Sequence, residues 1–151
     1  MWKEEKKKTP QIAIKYGKTK QEEIAVMVLF LEKALADLEV AKWSIEQKYY
    51  DASVRSSYYA IFHAEIAALQ VLGEMKAEYW GHDYVQAKFA GNLIRSKKFF
   101  PSSMAGIASY VISCRHTADY KEKNTSQKVA ERCYNKAELL VSEVNKKIGG
   151  K

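Results

Sequence analysis

Apolar residues recur at spacings of three, four and seven positions from residue 21 onward, which is the period of an amphipathic helix. This pattern predicts a first helix over roughly residues 21–46, with a single apolar face. Glu22 and Glu23 lie in its first turn, where the helix dipole favours negative charge. The positions that define the apolar face are Ile24, Val28, Leu31, Leu35, Leu38 and Ile45.

A second helix is predicted over roughly residues 49–73, and its apolar positions cover much more of the helix circumference. Two apolar stripes lie side by side, an arrangement typical of a helix at the centre of a bundle. Gly73 provides a natural end to this helix. One stripe consists of Val54, Tyr58, Ile61, Ala68 and Leu72, and the other of Tyr59, Phe62, Ile66 and Leu69.

The rest of the chain is also predicted to be helical, because no alternating strand pattern and no Asn-Gly or Asp-Gly hairpin signal occurs in it. Ser102 or Ser103 is the expected N-cap of the fourth helix. The sequence therefore predicts an all-α, up-and-down bundle of four or five helices over residues 21–148. The last three helices are predicted over roughly residues 82–98, 103–119 and 126–147.

The charge is distributed unevenly along the chain. The 151 residues carry a net charge of +7, which favours a polyanionic partner such as nucleic acid. Residues 1–20 hold seven Lys and two Glu, so +5 of that charge lies in what is predicted to be a flexible basic N-terminal extension. The remaining body is nearly neutral, and we expect any affinity for nucleic acid to come from local patches on it.

Neither membrane insertion nor a disulfide framework is expected. The longest uninterrupted apolar run is the segment 24–31, eight residues, whereas a membrane span needs about 20. No apolar signal-peptide core follows the Lys-rich start. Cys114 and Cys133 are too few for a disulfide framework. We therefore expect a cytoplasmic protein with reduced thiols and no membrane partner.

Common cofactor and catalytic motifs are missing from the sequence. It contains no glycine-rich phosphate loop, no GxSxG elbow, no HExxH and no CxxC. The three histidines, His63, His82 and His116, are far apart and lack the spacing of metal ligands. No metal and no other cofactor is therefore expected.

One candidate site lies on the second predicted helix. Arg55, Tyr59 and His63 are spaced four residues apart, so their side chains follow one another along a single face. Arginine can hold a phosphate through a forked contact, and histidine can hydrogen-bond or transfer a proton. The alternative is a polar seam inside the bundle, in which Arg55 pairs with a carboxylate and His63 bonds to a neighbour.

A second candidate set lies in the string RHTADY at residues 115–120. Arg115 and Asp119 are four residues apart on a predicted helix and can form an ion pair. The same carboxylate can instead end a helical turn or hold the loop that follows it. His116 and Tyr120 complete the set of candidate residues in this string.

These two strings resemble those of HEPN domains (higher eukaryotes and prokaryotes nucleotide-binding), and most closely those of the small stand-alone prokaryotic and archaeal members. The segment KYYDASVRSSYYAIFHAEIAALQVLG, residues 48–73, is similar to the second helix of that family. RHTADY is similar to the family's RxxADY-type segment. The residues that match the YYAxFH core of the helix are Tyr58, Tyr59, Ala60, Phe62 and His63.

The resemblance implies a helical bundle that commonly forms a homodimer and often pairs with a small nucleotidyltransferase-domain protein, as in toxin–antitoxin pairs. It also implies metal-independent ribonuclease activity in members where an arginine is followed, after four to six residues, by a histidine. In this chain the three positions after Arg115 that satisfy that spacing are Tyr120, Lys121 and Glu122, and those after Arg55 are Ala60, Ile61 and Phe62. The ribonuclease signature is therefore absent.

Three functions remain open from the sequence. The first is a module that binds a nucleotide or RNA, or that partners a nucleotidyltransferase, with Arg55, Tyr59, His63, Arg115 and Asp119 as the binding residues. The second is an atypical ribonuclease in which Arg115 holds phosphate, His116 or His63 transfers the proton and Tyr120 orients the substrate. The third is a purely structural dimeric scaffold in which the charged residues only pair with one another.

Overall fold

The computed structural model describes residues 20–72 and 81–149, and the secondary structure found in these ranges is helical. The prediction of an all-α bundle is therefore confirmed. The proposed N-terminal extension, residues 1–20, lies outside the described ranges except for Lys20, and so does Gly73. The helices are α1 (Lys20–Glu46), α2 (Tyr50–Val71), α3 (His82–Lys88), α4 (Ile107–Tyr120) and α5 (Gln127–Val144).

α2 lies at the centre of the bundle, as its two apolar stripes predict. It packs against α1, α3, α4 and α5. Val54, Ile61, Ile66 and Leu69 on α2 are almost completely buried. Burial of each such side chain contributes roughly 1.5–3 kcal/mol to stability. This central helix also carries Arg55, Tyr59 and His63, so the core fixes the positions of these candidate residues.

The predicted apolar face of α1 is partly wrong. Leu31 and Leu38 are buried against the core, but Ile24, Val28 and Leu35 are exposed. The face that packs on the bundle instead includes Ala34 and Ala41, whose small side chains allow two helix backbones to approach closely. The residues of α1 that are buried in the core are Met27, Phe30, Leu31, Ala34, Leu38 and Ala41.

Two helix ends differ from the prediction. α3 continues into wider, π-helical turns over Phe89–Ser96, and α5 does the same over Asn145–Gly149. A single 3₁₀ turn, Ser102–Met104, precedes α4, and neither serine side chain caps a helix there. The expectation that Ser102 or Ser103 caps the fourth helix is therefore wrong, because α4 itself begins only at Ile107.

The turn between α1 and α2 places a lysine in a left-handed conformation. Lys48 has φ = 64°, a region that glycine normally occupies at helix ends. The turn is closed by two backbone hydrogen bonds, from Lys48 N–H to the Ile45 carbonyl at 2.9 Å and from Tyr49 N–H to the Ser44 carbonyl at 2.7 Å. The left-handed conformation costs an ordinary residue roughly 1–2 kcal/mol.

The loop between α4 and α5 is held against the start of α2. Asp51 Oδ1 accepts a hydrogen bond from Thr125 N–H at 3.1 Å, and Tyr50 donates to Gln127 Oε1 at 3.2 Å. α5 then begins with a side-chain cap, in which Ser126 Oγ accepts from Val129 N–H at 3.1 Å.

No helix within residues 20–72 and 81–149 has the combination of length and apolarity required to cross a bilayer.

Candidate functional site

A shared carboxylate joins the two candidate strings of the sequence. Arg55 Nη1 donates to Asp119 Oδ1 at 2.8 Å, and Arg115 Nε donates to Asp119 Oδ2 at 3.3 Å. Asp119 is mostly buried, whereas the side chains of Arg55 and Arg115 are 43% and 29% exposed. Two guanidinium groups around one carboxylate leave a net positive charge that an anion can approach from solvent.

The guanidinium of Arg115 also lies over two tyrosine rings of α2. Its central carbon is 4.6 Å from the ring centroid of Tyr58 and 5.1 Å from that of Tyr59. Nη2 of Arg115 donates to the hydroxyl of Tyr59 at 3.5 Å. Cation–π contacts and hydrogen bonds of this kind hold the guanidinium plane in place, so that it is preorganised for a ligand.

His82, the first residue of α3, joins the same group of rings. It stacks on Phe62 with ring centroids 4.1 Å apart and is hydrogen-bonded through Nδ1 to the hydroxyl of Tyr58. Burial raises the pKa of Tyr58 to about 12, so this phenol keeps its proton. Burial, and then the charge of Arg115, lower the pKa of His82. A neutral His82 therefore accepts from Tyr58 at Nδ1 and carries its own proton on Nε2.

His63 is paired with a carboxylate from α1. Its Nδ1 lies 2.6 Å from Asp37 Oδ2, and both side chains remain partly exposed. The imidazole ring is 5.8 Å from the ring of Phe30 and 6.1 Å from that of Tyr59. A carboxylate at Nδ1 favours the tautomer with the proton on that atom, which leaves Nε2 as a proton acceptor.

These contacts bring together side chains from four helices, and we call the resulting set the Arg115 cluster. Five of its members are the binding residues that the sequence predicts, and four come from outside that set. Arg55, Tyr59, His63, Arg115 and Asp119 are the predicted members, and Asp37, Tyr58, Phe62 and His82 are the others.

The remaining candidates form a separate pair. His116 and Tyr120 are exposed on α4, and their ring centroids are 5.1 Å apart.

The contacts expected of a polar seam inside the bundle are also present, since Arg55 pairs with Asp119 and His63 pairs with Asp37. The exposure of the Arg115 guanidinium distinguishes the cluster from a sealed seam.

Asp37 and His82 were missed as site residues from the sequence. Asp37 lies 26 positions from His63, and His82 lies 24 positions from Tyr58. No local spacing links either pair, because their proximity depends on how α1 and α3 pack on α2.

Within residues 20–72 and 81–149, no three His, Cys, Asp or Glu side chains are grouped so that they could hold a metal ion.

The fold and the cluster together define a helical-bundle domain with an arginine held over aromatic rings at its surface. The HEPN domain family matches this chain over residues 27–147, which is most of its length. The chain therefore belongs to the HEPN family. No curated protein matches it.

Proposed function

We propose that this HEPN domain binds a nucleotide or RNA through the Arg115 cluster. The observation that carries the proposal is the partly exposed guanidinium of Arg115, held over Tyr58 and Tyr59 and balanced by a carboxylate that it shares with Arg55. Membership of the HEPN family adds support, since the family is related to nucleotides and RNA.

The chemistry of the cluster suits a phosphate with an attached base. The guanidinium groups of Arg55 and Arg115 are charge-assisted donors to phosphate oxygens. The Nε2 proton of His82 offers a third, neutral donor. The partly exposed ring of Tyr59 offers a face on which a base can stack.

The test measures binding of a fluorescently labelled single-stranded RNA by anisotropy, in EDTA, to the full chain. We expect Arg115→Gln to weaken binding by at least about tenfold, the loss expected for one phosphate contact of this kind. Arg132→Gln is the matched control, because Arg132 also donates to a tyrosine hydroxyl, that of Tyr110 at 3.4 Å, but lies on α5. Equal affinities of the two variants would overturn the proposal.

A second candidate function, metal-independent cleavage of RNA, is favoured by the pair Asp37–His63. His63 Nε2 would take the proton of the ribose 2′-hydroxyl, and Arg115 would hold the phosphate. The 2′-oxygen would then bond to phosphorus, and the 5′-oxygen would leave and take a proton from water. The products would be a 2′,3′-cyclic phosphate and a free 5′-hydroxyl.

The cleavage test uses the same RNA in EDTA with His63→Asn. New bands that disappear in His63→Asn and persist in His116→Asn would support cleavage at the Arg115 cluster. Bands that disappear only in His116→Asn would move the reaction to the exposed pair of His116 and Tyr120. Binding without any new band would leave the binding function alone.

The partners implied by the family remain part of this proposal. The exposed stripe Ile24, Val28 and Leu35 on α1 supports a homodimer, because an uncovered apolar stripe favours association. Sedimentation velocity of the full chain should give a dimer that Val28→Asp converts to a monomer. Leu139→Asp, at an exposed leucine of α5, is the control. A monomeric wild type would instead direct the search to a nucleotidyltransferase-domain partner, as in toxin–antitoxin pairs.

A further inference from the structure

A groove of about 620 Å³ lies at the start of α2, on the side of Arg55 away from His63. Its volume is in the range of pockets that hold small organic ligands. Its walls come from the α1–α2 turn, the first turns of α2 and the loop before α5. The residues that line it are Lys48, Tyr49, Tyr50, Asp51, Ala52, Arg55, Asn124 and Thr125.

An exposed tyrosine lines the groove and has a second exposed ring beside it. Tyr49 is 58% exposed, and its ring centroid is 6.1 Å from that of Trp43, which is 54% exposed. The two rings are neighbours and so form a small contiguous exposed apolar surface. Rings of this kind are the surfaces on which proteins stack the bases of single-stranded nucleic acid.

The charge of the groove favours a phosphodiester chain. Lys48 and Arg55 bring two positive charges to its walls, and Asp51 brings one negative charge. Asp51 Oδ1 also accepts from Thr125 N–H at 3.1 Å, and Arg55 also pairs with Asp119 at 2.8 Å. The lining side chains therefore carry one positive charge in excess, with Lys48 in the turn and Arg55 on the side of the Arg115 cluster.

The groove is continuous with the Arg115 cluster. Arg55 lines the groove and also shares Asp119 with Arg115. The face of α2 from Asp51 to His63 extends about 18 Å at the rise of an α-helix. This path is longer than one nucleotide, so a chain held at the cluster can extend into the groove.

The backbone at Lys48 provides a further observation. Its left-handed φ of 64° would suit glycine better, yet a lysine occupies this turn and lines the groove. Because this conformation suits glycine, Lys48→Gly can remove the lysine side chain without straining the turn.

We propose that this groove is a base-binding subsite for single-stranded RNA, in which a base stacks on Tyr49 and Trp43 while Lys48 and Arg55 contact the adjoining phosphate. The proposal rests on the proposed function, because it extends the same nucleic-acid path away from Arg115. The subsite takes a nucleotide unit of a chain whose neighbouring phosphates lie at the Arg115 cluster.

The experiment compares a short oligoadenylate with AMP by fluorescence anisotropy and competition, using the full chain. Tyr49→Leu keeps an apolar side chain but removes the ring, and we expect it to weaken oligoadenylate binding about tenfold. Tyr49→Phe should bind as the wild type does, because it retains the ring. Phe99→Leu is the matched control at another exposed aromatic residue. AMP affinity should stay unchanged in Tyr49→Leu if AMP occupies the cluster alone.

Lys48→Gly separates a functional role of Lys48 from a structural one. Glycine relieves the left-handed conformation, so we expect the thermal midpoint to rise while oligoadenylate binding weakens and its salt dependence becomes shallower. A structural role would leave binding unchanged. Lys147→Gln, near the end of α5, is the control for loss of a distant positive charge.

The outcomes distinguish the two proposals. Loss of binding in Arg115→Gln with unchanged binding in Tyr49→Leu would overturn the subsite and keep the proposed function. Loss in Tyr49→Leu with unchanged binding in Arg115→Gln would keep the groove and overturn the role of the cluster. If the wild type bound AMP but not oligoadenylate, the subsite alone would be overturned, whereas an absence of binding to both probes would overturn both proposals.

Discussion

Asp37 and His63 lie on neighbouring helices, and the carboxylate oxygen of one is 2.6 Å from the ring nitrogen of the other. This contact fixes which nitrogen of His63 carries the proton, and so which nitrogen can accept one. The pair lies next to the ring of Tyr59, which in turn contacts Arg115. A proton acceptor and an anion-binding group are therefore linked through one tyrosine.

Replacing Asp37 with alanine should change the tautomer of His63, because the carboxylate that favours the proton on Nδ1 is lost. We expect ¹⁵N NMR to show mainly Nδ1–H in the wild type and mainly Nε2–H in Asp37→Ala. The loss of stability should be about 1 kcal/mol, because the pair is partly solvated. Glu39→Ala, at an exposed carboxylate of the same helix, is the control. An unchanged tautomer in Asp37→Ala would contradict the assigned role.

Asp119→Asn should change stability and binding in opposite directions. Loss of the carboxylate removes the partner of two arginines, so we expect the free energy of unfolding to fall by about 1–2 kcal/mol. The same change raises the net charge of the cluster by one, so RNA affinity should increase and become more salt-dependent. A purely structural scaffold predicts the loss of stability with no RNA binding in either protein.

Glu65 should make the stability of the fold decrease as pH rises. This side chain is buried on α2, and burial raises its pKa well above the ordinary value of 4.5. Above pH 4.5 the unfolded chain releases the Glu65 proton, whereas the folded chain retains it up to its higher pKa. The stability that this proton contributes is therefore lost as pH rises from 4.5 through the folded pKa. Glu65→Gln cannot lose the proton and should remove this part of the pH dependence.

Urea titrations at a series of pH values measure the effect of Glu65. We expect the midpoint of Glu65→Gln to exceed that of the wild type increasingly as pH rises. Glu131→Gln, at an exposed position of α5, should keep the pH dependence of the wild type. Parallel pH profiles of the wild type and Glu65→Gln would show that the buried carboxyl group does not govern the pH dependence of stability.

The titration of His82 should report the charge of Arg115. The pKa of His82 lies below its ordinary value of 6.5 because of burial and the nearby guanidinium. His82 therefore contributes stability above pH 6.5 that is lost as pH falls toward its folded pKa. In Arg115→Gln the pKa of His82 should move upward, which an NMR pH titration of its ring proton can measure. A downward or absent movement would place Arg115 away from His82 in solution.

Sequence reasoning located the part of the site that lies on single helices. Arg55, Tyr59 and His63 follow one another at helical spacing, and Arg115 and Asp119 are one turn apart, so local periodicity was sufficient for both groups. The contact of Arg55 with Asp119 depends on how α4 packs against α2. Periodicity does not encode that distance between helices.

The faces of the helices were harder to predict than the helices themselves. On α1, Ile24, Val28 and Leu35 have the spacing of a buried stripe, yet they face solvent. Ala34 and Ala41 occupy the packed face instead. A helix with apolar residues on several sides has more than one face that satisfies the same period. Only the shape of the neighbouring helix decides which face is buried.

The loop between α4 and α5 is held at both ends by contacts with the same helix. Asp119, just before it, bonds to Arg55, and Thr125, within it, bonds to Asp51. Because the two anchors fix the span, added residues at 121–123 would cost only the slowly growing entropy of closing a longer loop. This part of the loop precedes Asn124, which lines the groove, so it is a natural place to insert a reporter peptide without moving α4 or α5.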